Sequence, residues 1–231
     1  MKFTSLIILL LGVWAVNAAA AGTISGTVRA EGKSQAQTQE SGGAYDSRNL
    51  KFAERVNYTE LHDFVVYVEG PVVTNLPASD KPAVVETHRV TQIGAVFSPH
   101  VLPVLVGTSV EWPNNDNIYH NVFSMSDVRP FDLGLYMHPE TKQVVFDKPG
   151  RADVFCSIHS RMNCIVLVLE NPYFAPAAAN GHYVISNVPP GTYKLKAWHE
   201  RLPAEVKEIT VPETGEAKVD FTLGIKNLPQ L

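Results

Sequence analysis

Cys156-Ser157-Ile158-His159-Ser160-Arg161-Met162 offers a thiol, an imidazole and a thioether within one short stretch. Ahead of it, Val144 to Phe155 alternates around Asp147-Lys148-Pro149-Gly150 and reads as a hairpin leading up to Cys156. Behind it, Ile165-Val166-Leu167-Val168-Leu169 reads as the strand leading away. Cys156 and Met162 then stand at the two rims of one loop, with His159 at its tip. Similar strand signals run through the chain, at Phe64 to Val68, Val101 to Val106 and Tyr193 to Trp198, punctuated by Gly, Pro and Asn. No long 3.6-residue period competes with them, so the expected fold class is all-β, built from sandwiches.

A second histidine, His120, lies upstream in Trp112-Pro113-Asn114-Asn115-Asp116-Asn117-Ile118-Tyr119-His120-Asn121. Two imidazoles, one thiolate and one thioether form the ligand set of a blue-copper electron-transfer site, a trigonal plane with a long axial thioether. The thiolate and thioether favour Cu(I), and the imidazoles suit Cu(II). His120 follows the strand Gly107 to Trp112, and its ring needs a partner to fix its tautomer.

The segment 84–170 resembles the cupredoxins, the plastocyanin-like blue-copper proteins. Gly107-Thr108-Ser109-Val110-Glu111-Trp112, Asn115-Asp116 and His120-Asn121-Val122 look like the strand and loop that deliver the first histidine. Cys156-x-x-His159-x-x-Met162 is similar to the short ligand loop of amicyanins. The resemblance implies one type 1 copper, with His120, Cys156 and His159 in the plane and Met162 on the axis. It implies that Asn121 ties the two ligand loops together, and that His159 is the edge through which an electron passes. It implies an electron carrier rather than an enzyme, with a redox protein as donor and another as acceptor.

The flanks resemble a different family. Ile24-Ser25-Gly26-Thr27-Val28 and Gly181-His182-Tyr183 through Pro189-Pro190-Gly191 to Leu195 look like the carboxypeptidase-regulatory-like, or prealbumin-like, β-sandwich, with a hairpin over 183–197 that turns at Pro189-Pro190-Gly191. The combined layout looks like proteins named for methylamine utilisation. The expected architecture is a cupredoxin Greek-key sandwich inserted in, or flanked by, that second sandwich. Residues 22–83 supply its first strands and a polar loop, 84–170 form the cupredoxin part, and 171–231 complete the flanking sandwich after a linker-like start at Asn171 to Gly181.

The first residues read as a secretory signal. Lys2 is its positive end, Leu6 to Val16 its short apolar stretch, and Asn17 to Ala21 its cleavage region, giving a signal over 1–21. The expected location is periplasmic or secreted, with no stable membrane insertion after cleavage. The 231 residues are 45% hydrophobic and 18% charged, with net charge -4. That is a globular balance without a basic run, which argues against a nucleic-acid partner.

Cys156 and Cys164 are the two cysteines. In an oxidising compartment they could pair, which would leave a metal-free β-sandwich binding module. Cys164 could instead stay a buried thiol. A further alternative keeps the copper but makes the protein a carrier delivering it to an oxidase. The other six histidines, His62, His88, His100, His138, His182 and His199, are scattered in sequence and read as surface or structural residues. Trp198-His199-Glu200 ends a strand, where it could meet the cupredoxin face or a partner.

Overall fold

The computed structural model describes residues 21–32, 57–72 and 88–224. The expected signal, Ala21 apart, most of the polar loop and the 83/84 boundary lie outside the described residues. Strands β1 (Gly22–Glu31) and β2 (Val65–Val68) come first. Then follow β3 (His88–Arg89), β4 (Thr91–Ile93), β5 (Val96–Ser98), β6 (Val101–Leu105) and β7 (Thr108–Pro113). Next come β8 (His120–Ser124), β9 (Phe131–Tyr136), β10 (Thr141–Phe146), β11 (Gly150–Phe155) and β12 (Asn163–Leu169). The chain closes with β13 (Phe174–Pro176), β14 (His182–Val188), β15 (Gly191–His199), β16 (Leu202–Val211), β17 (Glu216–Lys218) and β18 (Phe221–Gly224). The protein is all-β; a 3-10 turn at Tyr58–Glu60 is the one helical element among the described residues. None of their helices is long and apolar enough to cross a membrane.

The first two strands and the last six build one sandwich. One sheet pairs β14 with β1, and β1 with β17 and β18; the other runs β13-β2-β15-β16. Ile24, Val28, Val66, Leu195, Phe221 and Leu223 meet between them. Strands β3 to β12 form the second sandwich, with sheets β10-β7-β3 and β6-β12-β11-β8-β9 and the hairpin β4-β5. Its core gathers Val110, Trp112, Val122, Phe146, Val154 and Val166.

The period of two along β12 explains how the sandwiches meet. Cys164, Val166 and Val168 face the inner core, whereas Ile165, Leu167 and Leu169 face the other way. The latter three pack with Val65 and Val101, and against Tyr67, Phe174 and Trp198 of the flanking sandwich. An uninterrupted apolar run is what a strand covered on both faces requires. Burying each such side chain is worth about 1.5–3 kcal/mol, so the joint is a third hydrophobic core. Trp198 does meet the inner sandwich, and Arg151 lies over its ring at 5.9 Å.

Three local readings are corrected by the fold. Residues 144–155 are not a hairpin: β10 pairs with β7, and β11 with β12 and β8, so the chain crosses between sheets at Asp147 to Pro149. Both strands alternate because both bury one face in the same core, from opposite sides. Tyr183 to Ala197 crosses in the same way, β14 pairing with β1 and β15 with β2 and β16. The stretch from Asn171 is no linker. Asn171 is buried and donates to the carbonyls of Val68 and Gly70 at 2.8 and 2.7 Å, and β13 adds to β2.

Gly181 closes the approach to β1. Its φ is 80°, its carbonyl accepts from the Val28 N–H at 2.8 Å, and a Cβ there would strike the Val28 carbonyl oxygen. Gly181→Ala is expected to destabilise the protein by about 1–3 kcal/mol through backbone strain. Urea unfolding, compared with a Gly215→Ala control that meets nothing within 4 Å, measures how much of the loss belongs to the clash.

Candidate metal centre

His120 opens β8, and Cys156 follows directly on β11. These strands are neighbours in one sheet. The loop from Cys156 to Met162 is closed by its own backbone: the Cys156 N–H donates to the Met162 carbonyl, and the Met162 N–H to the His159 carbonyl, both at 3.0 Å. Met162 and Cys156 are buried in the inner core, and His159 is half-buried at the loop.

Three donor atoms converge. The Nδ1 atoms of His120 and His159 lie 3.1 Å apart, and Cys156 Sγ is 3.6 Å from His159 Nδ1. All three ligand atoms lie within 4.8 Å of one another. With bonds of roughly 2.0–2.3 Å to nitrogen and sulfur, separations of this size are the edges of a coordination polyhedron around one ion. Met162 lies in the same core cluster as Cys156, at the far rim of the loop.

The tautomer of His120 is set by a residue of the quoted loop to which the sequence reading gave no role of its own. Asp116 Oδ2 is 2.8 Å from His120 Nε2. A carboxylate oxygen accepts, so Nε2 carries the hydrogen and the Nδ1 lone pair faces Cys156 and His159. A ligand histidine held through its other nitrogen is oriented and made more basic. Asp116 is itself held by the turn of the β4-β5 hairpin, the Gly94 and Ala95 N–H groups donating at 2.7 and 2.9 Å. Burial alone would raise the Asp116 carboxyl; these N–H groups and His120 outweigh it and hold it below the ordinary carboxylate value. Asn114 shapes the same loop: its side chain donates to the carbonyls of Ile118 and Tyr136 and accepts from the Asp116 N–H.

Asn121 links the ligand strands through its backbone. Its N–H points at Cys156 Sγ, 3.4 Å away, the direction from which a donor stabilises a thiolate. Its side chain turns to β9, donating to Asp132 Oδ1 at 2.7 Å. Beneath the site, Tyr136 pairs with His120 across β8 and β9, and its hydroxyl bridges the Trp112 carbonyl and Gln92 Nε2.

Cys164 stands apart. Both cysteines are free thiols. Cys164 pairs across from Val154 with its side chain in the inner core, and burial pushes its thiol well up, so it stays neutral. The disulfide expected under the metal-free alternative is absent, and of the two thiols it is Cys156 that lies with the two histidines.

No family model matches the chain, and no curated protein matches it. Among solved structures, it is similar to a mutant of amicyanin in its Cu(I) form, at 22% identity over 36% of this chain and 81% of that one, with a TM-score of 0.34. A second amicyanin mutant, in its oxidised state, is 24% identical over the same shares, also at 0.34. A purple cupredoxin from Nitrosopumilus maritimus is 26% identical over 35% of this chain and 98% of that one, at 0.32.

Removing the hydrogen-bond acceptor should loosen the centre. Asp116→Ala is expected to weaken metal binding about 10–100-fold, while Asp116→Asn, which keeps an acceptor but loses the charge, falls between it and the native protein. Cys164→Ala should leave affinity unchanged. Competition against a chelator of known strength reads all three.

Proposed function

We propose that this protein holds one type 1 copper at His120, Cys156 and His159, with Met162 as the axial ligand, and carries single electrons between two redox proteins outside the cytoplasm. The observation that carries this reading is the convergence of two imidazole nitrogens and one thiol on a single point, with the outer nitrogen of His120 already taken by Asp116. When bound, copper supplies a one-electron couple that this mixed donor set supports in both oxidation states.

The chain's own part is to hold the donors still. Cys156 and Met162 are fixed by backbone hydrogen bonds across the loop, and His120 by a strand and a carboxylate. Donors that need not move leave little reorganisation to accompany the arrival or loss of an electron. The half-buried His159, beside exposed Ile158, is the edge at which the electron enters and leaves. Four protein donors around one ion leave no open position for a substrate, so the role is carriage rather than catalysis. The N-terminal residues read as a signal, which agrees with a periplasmic or secreted location.

Voltammetry of the copper-loaded protein, with a Cu(I) chelator present, separates electron carriage from copper delivery. The expected result is a reversible one-electron wave with copper retained through repeated cycles. Loss of copper to the chelator on each reduction would mean delivery instead.

A further inference from the structure

Orientation alone does not account for Asp116. Any acceptor, a backbone carbonyl included, would fix a hydrogen on Nε2 of His120 and turn Nδ1 toward Cys156 and His159. The chain instead sets a carboxylate there, 2.8 Å from the ring nitrogen. Three N–H groups converge on it: Gly94 donates to Oδ1, while Ala95 and His120 share Oδ2. Hydrogen bonds of this kind favour the charged form of a carboxyl group. Two of the three donors are neutral backbone groups, so the negative charge is held in place rather than cancelled.

The surroundings keep that charge effective. The Asp116 side chain is 14% exposed and the His120 ring is wholly buried. Charges out of solvent are screened much less than exposed ones. From a fixed position, a negative charge attracts a doubly charged ion twice as strongly as a singly charged one. The hydrogen bond also makes the ligand nitrogen more basic, which serves Cu(II) better than Cu(I). The Asn121 N–H, 3.4 Å from Cys156 Sγ, acts in the opposite sense by drawing charge from sulfur, but it brings a partial charge against a full one.

We propose that Asp116, acting through His120, biases the centre toward Cu(II) and so lowers its reduction potential. This rests on the copper reading above. Asp116 is a positioning residue whose charge matters beyond its geometry. The step is one electron in from a donor protein and one out to an acceptor, with no bond made or broken and no proton moved. A fixed negative charge opposes the first half and favours the second, so the reduced protein is the readier donor. The β4-β5 hairpin, which supplies no ligand, takes part by holding that charge with its Gly94 and Ala95 N–H groups.

The test compares native protein with Asp116→Asn and Asp116→Ala, each checked for folding by circular dichroism. Voltammetry reads the potential, and chelator competition under oxidising and under reducing conditions reads the two copper affinities. In Asp116→Asn the ratio of Cu(II) to Cu(I) affinity is expected to fall about tenfold, which raises the potential by about 59 mV. Asp116→Ala moves both in the same direction. A residue that only shaped the site would weaken both oxidation states alike and leave the potential where it was. That result overturns the proposal and leaves the copper reading intact, whereas a native protein that takes up no copper overturns both. Nitrogen NMR of the copper-free native protein needs no variant: Nε2 of His120 is expected to carry a hydrogen. A bare Nε2 overturns the proposal, since the carboxylate then has nothing to act through.

Discussion

His120 can offer one defined nitrogen to an ion because Asp116 holds the other. Its ring is wholly buried, so water cannot take that role. An ionised carboxylate at the outer nitrogen leaves a single tautomer, with its lone pair toward Cys156 and His159. The support reaches further back. Asp116 is gripped by two N–H groups of a tight turn, where Gly94 and Ala95 both have positive φ, 64° and 55°. Two successive positive φ values belong to the turn type that matches strand twist in a two-residue hairpin. For Ala95 that conformation costs roughly 1–2 kcal/mol, which the hydrogen bond to Asp116 helps offset. A small hairpin thus helps to orient His120 through its backbone N–H groups and Asp116.

The same economy of strands appears at the joint. β12 runs from the ligand loop, buries Cys164, Val166 and Val168 in one core, and gives Ile165, Leu167 and Leu169 to the other. The strand that anchors the Met162 side of the loop is therefore clamped on both faces. The flanking sandwich is built from the two ends of the chain, β1 and β2 with β13 to β18, and it presses on the sheet that carries His120, Cys156 and Met162. Rigidity at the ligand loop is a property of both sandwiches.

Much of this was legible from the residues. The spacing of Cys156, His159 and Met162 is local, so the loop stands out in the sequence, and His120 draws notice by its residue type and its place after a strand. Alternation gave the strands, but it could not say which sheet each joined. A crossover between sheets and a hairpin write the same pattern at 144–155, since both bury every second residue. Asn171 to Pro176 looks like a linker in composition, yet two side-chain hydrogen bonds from Asn171 pin it to β2. Asp116 stands in the quoted loop, but its role was hidden because an aspartate four residues before a histidine in an Asn-rich loop also reads as turn chemistry. The turn that ionises it, at Gly94 and Ala95, is remote in sequence.

The central claim is that Cys156, not Cys164, supplies a thiolate to one copper ion. The most direct measurement is the visible absorption of the purified protein as one equivalent of Cu(II) is added, for the native chain and for Cys156→Ser. The expected result is an intense thiolate-to-copper band in the native protein that saturates at one equivalent and is absent from the variant. A native protein that stays colourless with its Cys156 thiol free, or a band that survives Cys156→Ser, would contradict it.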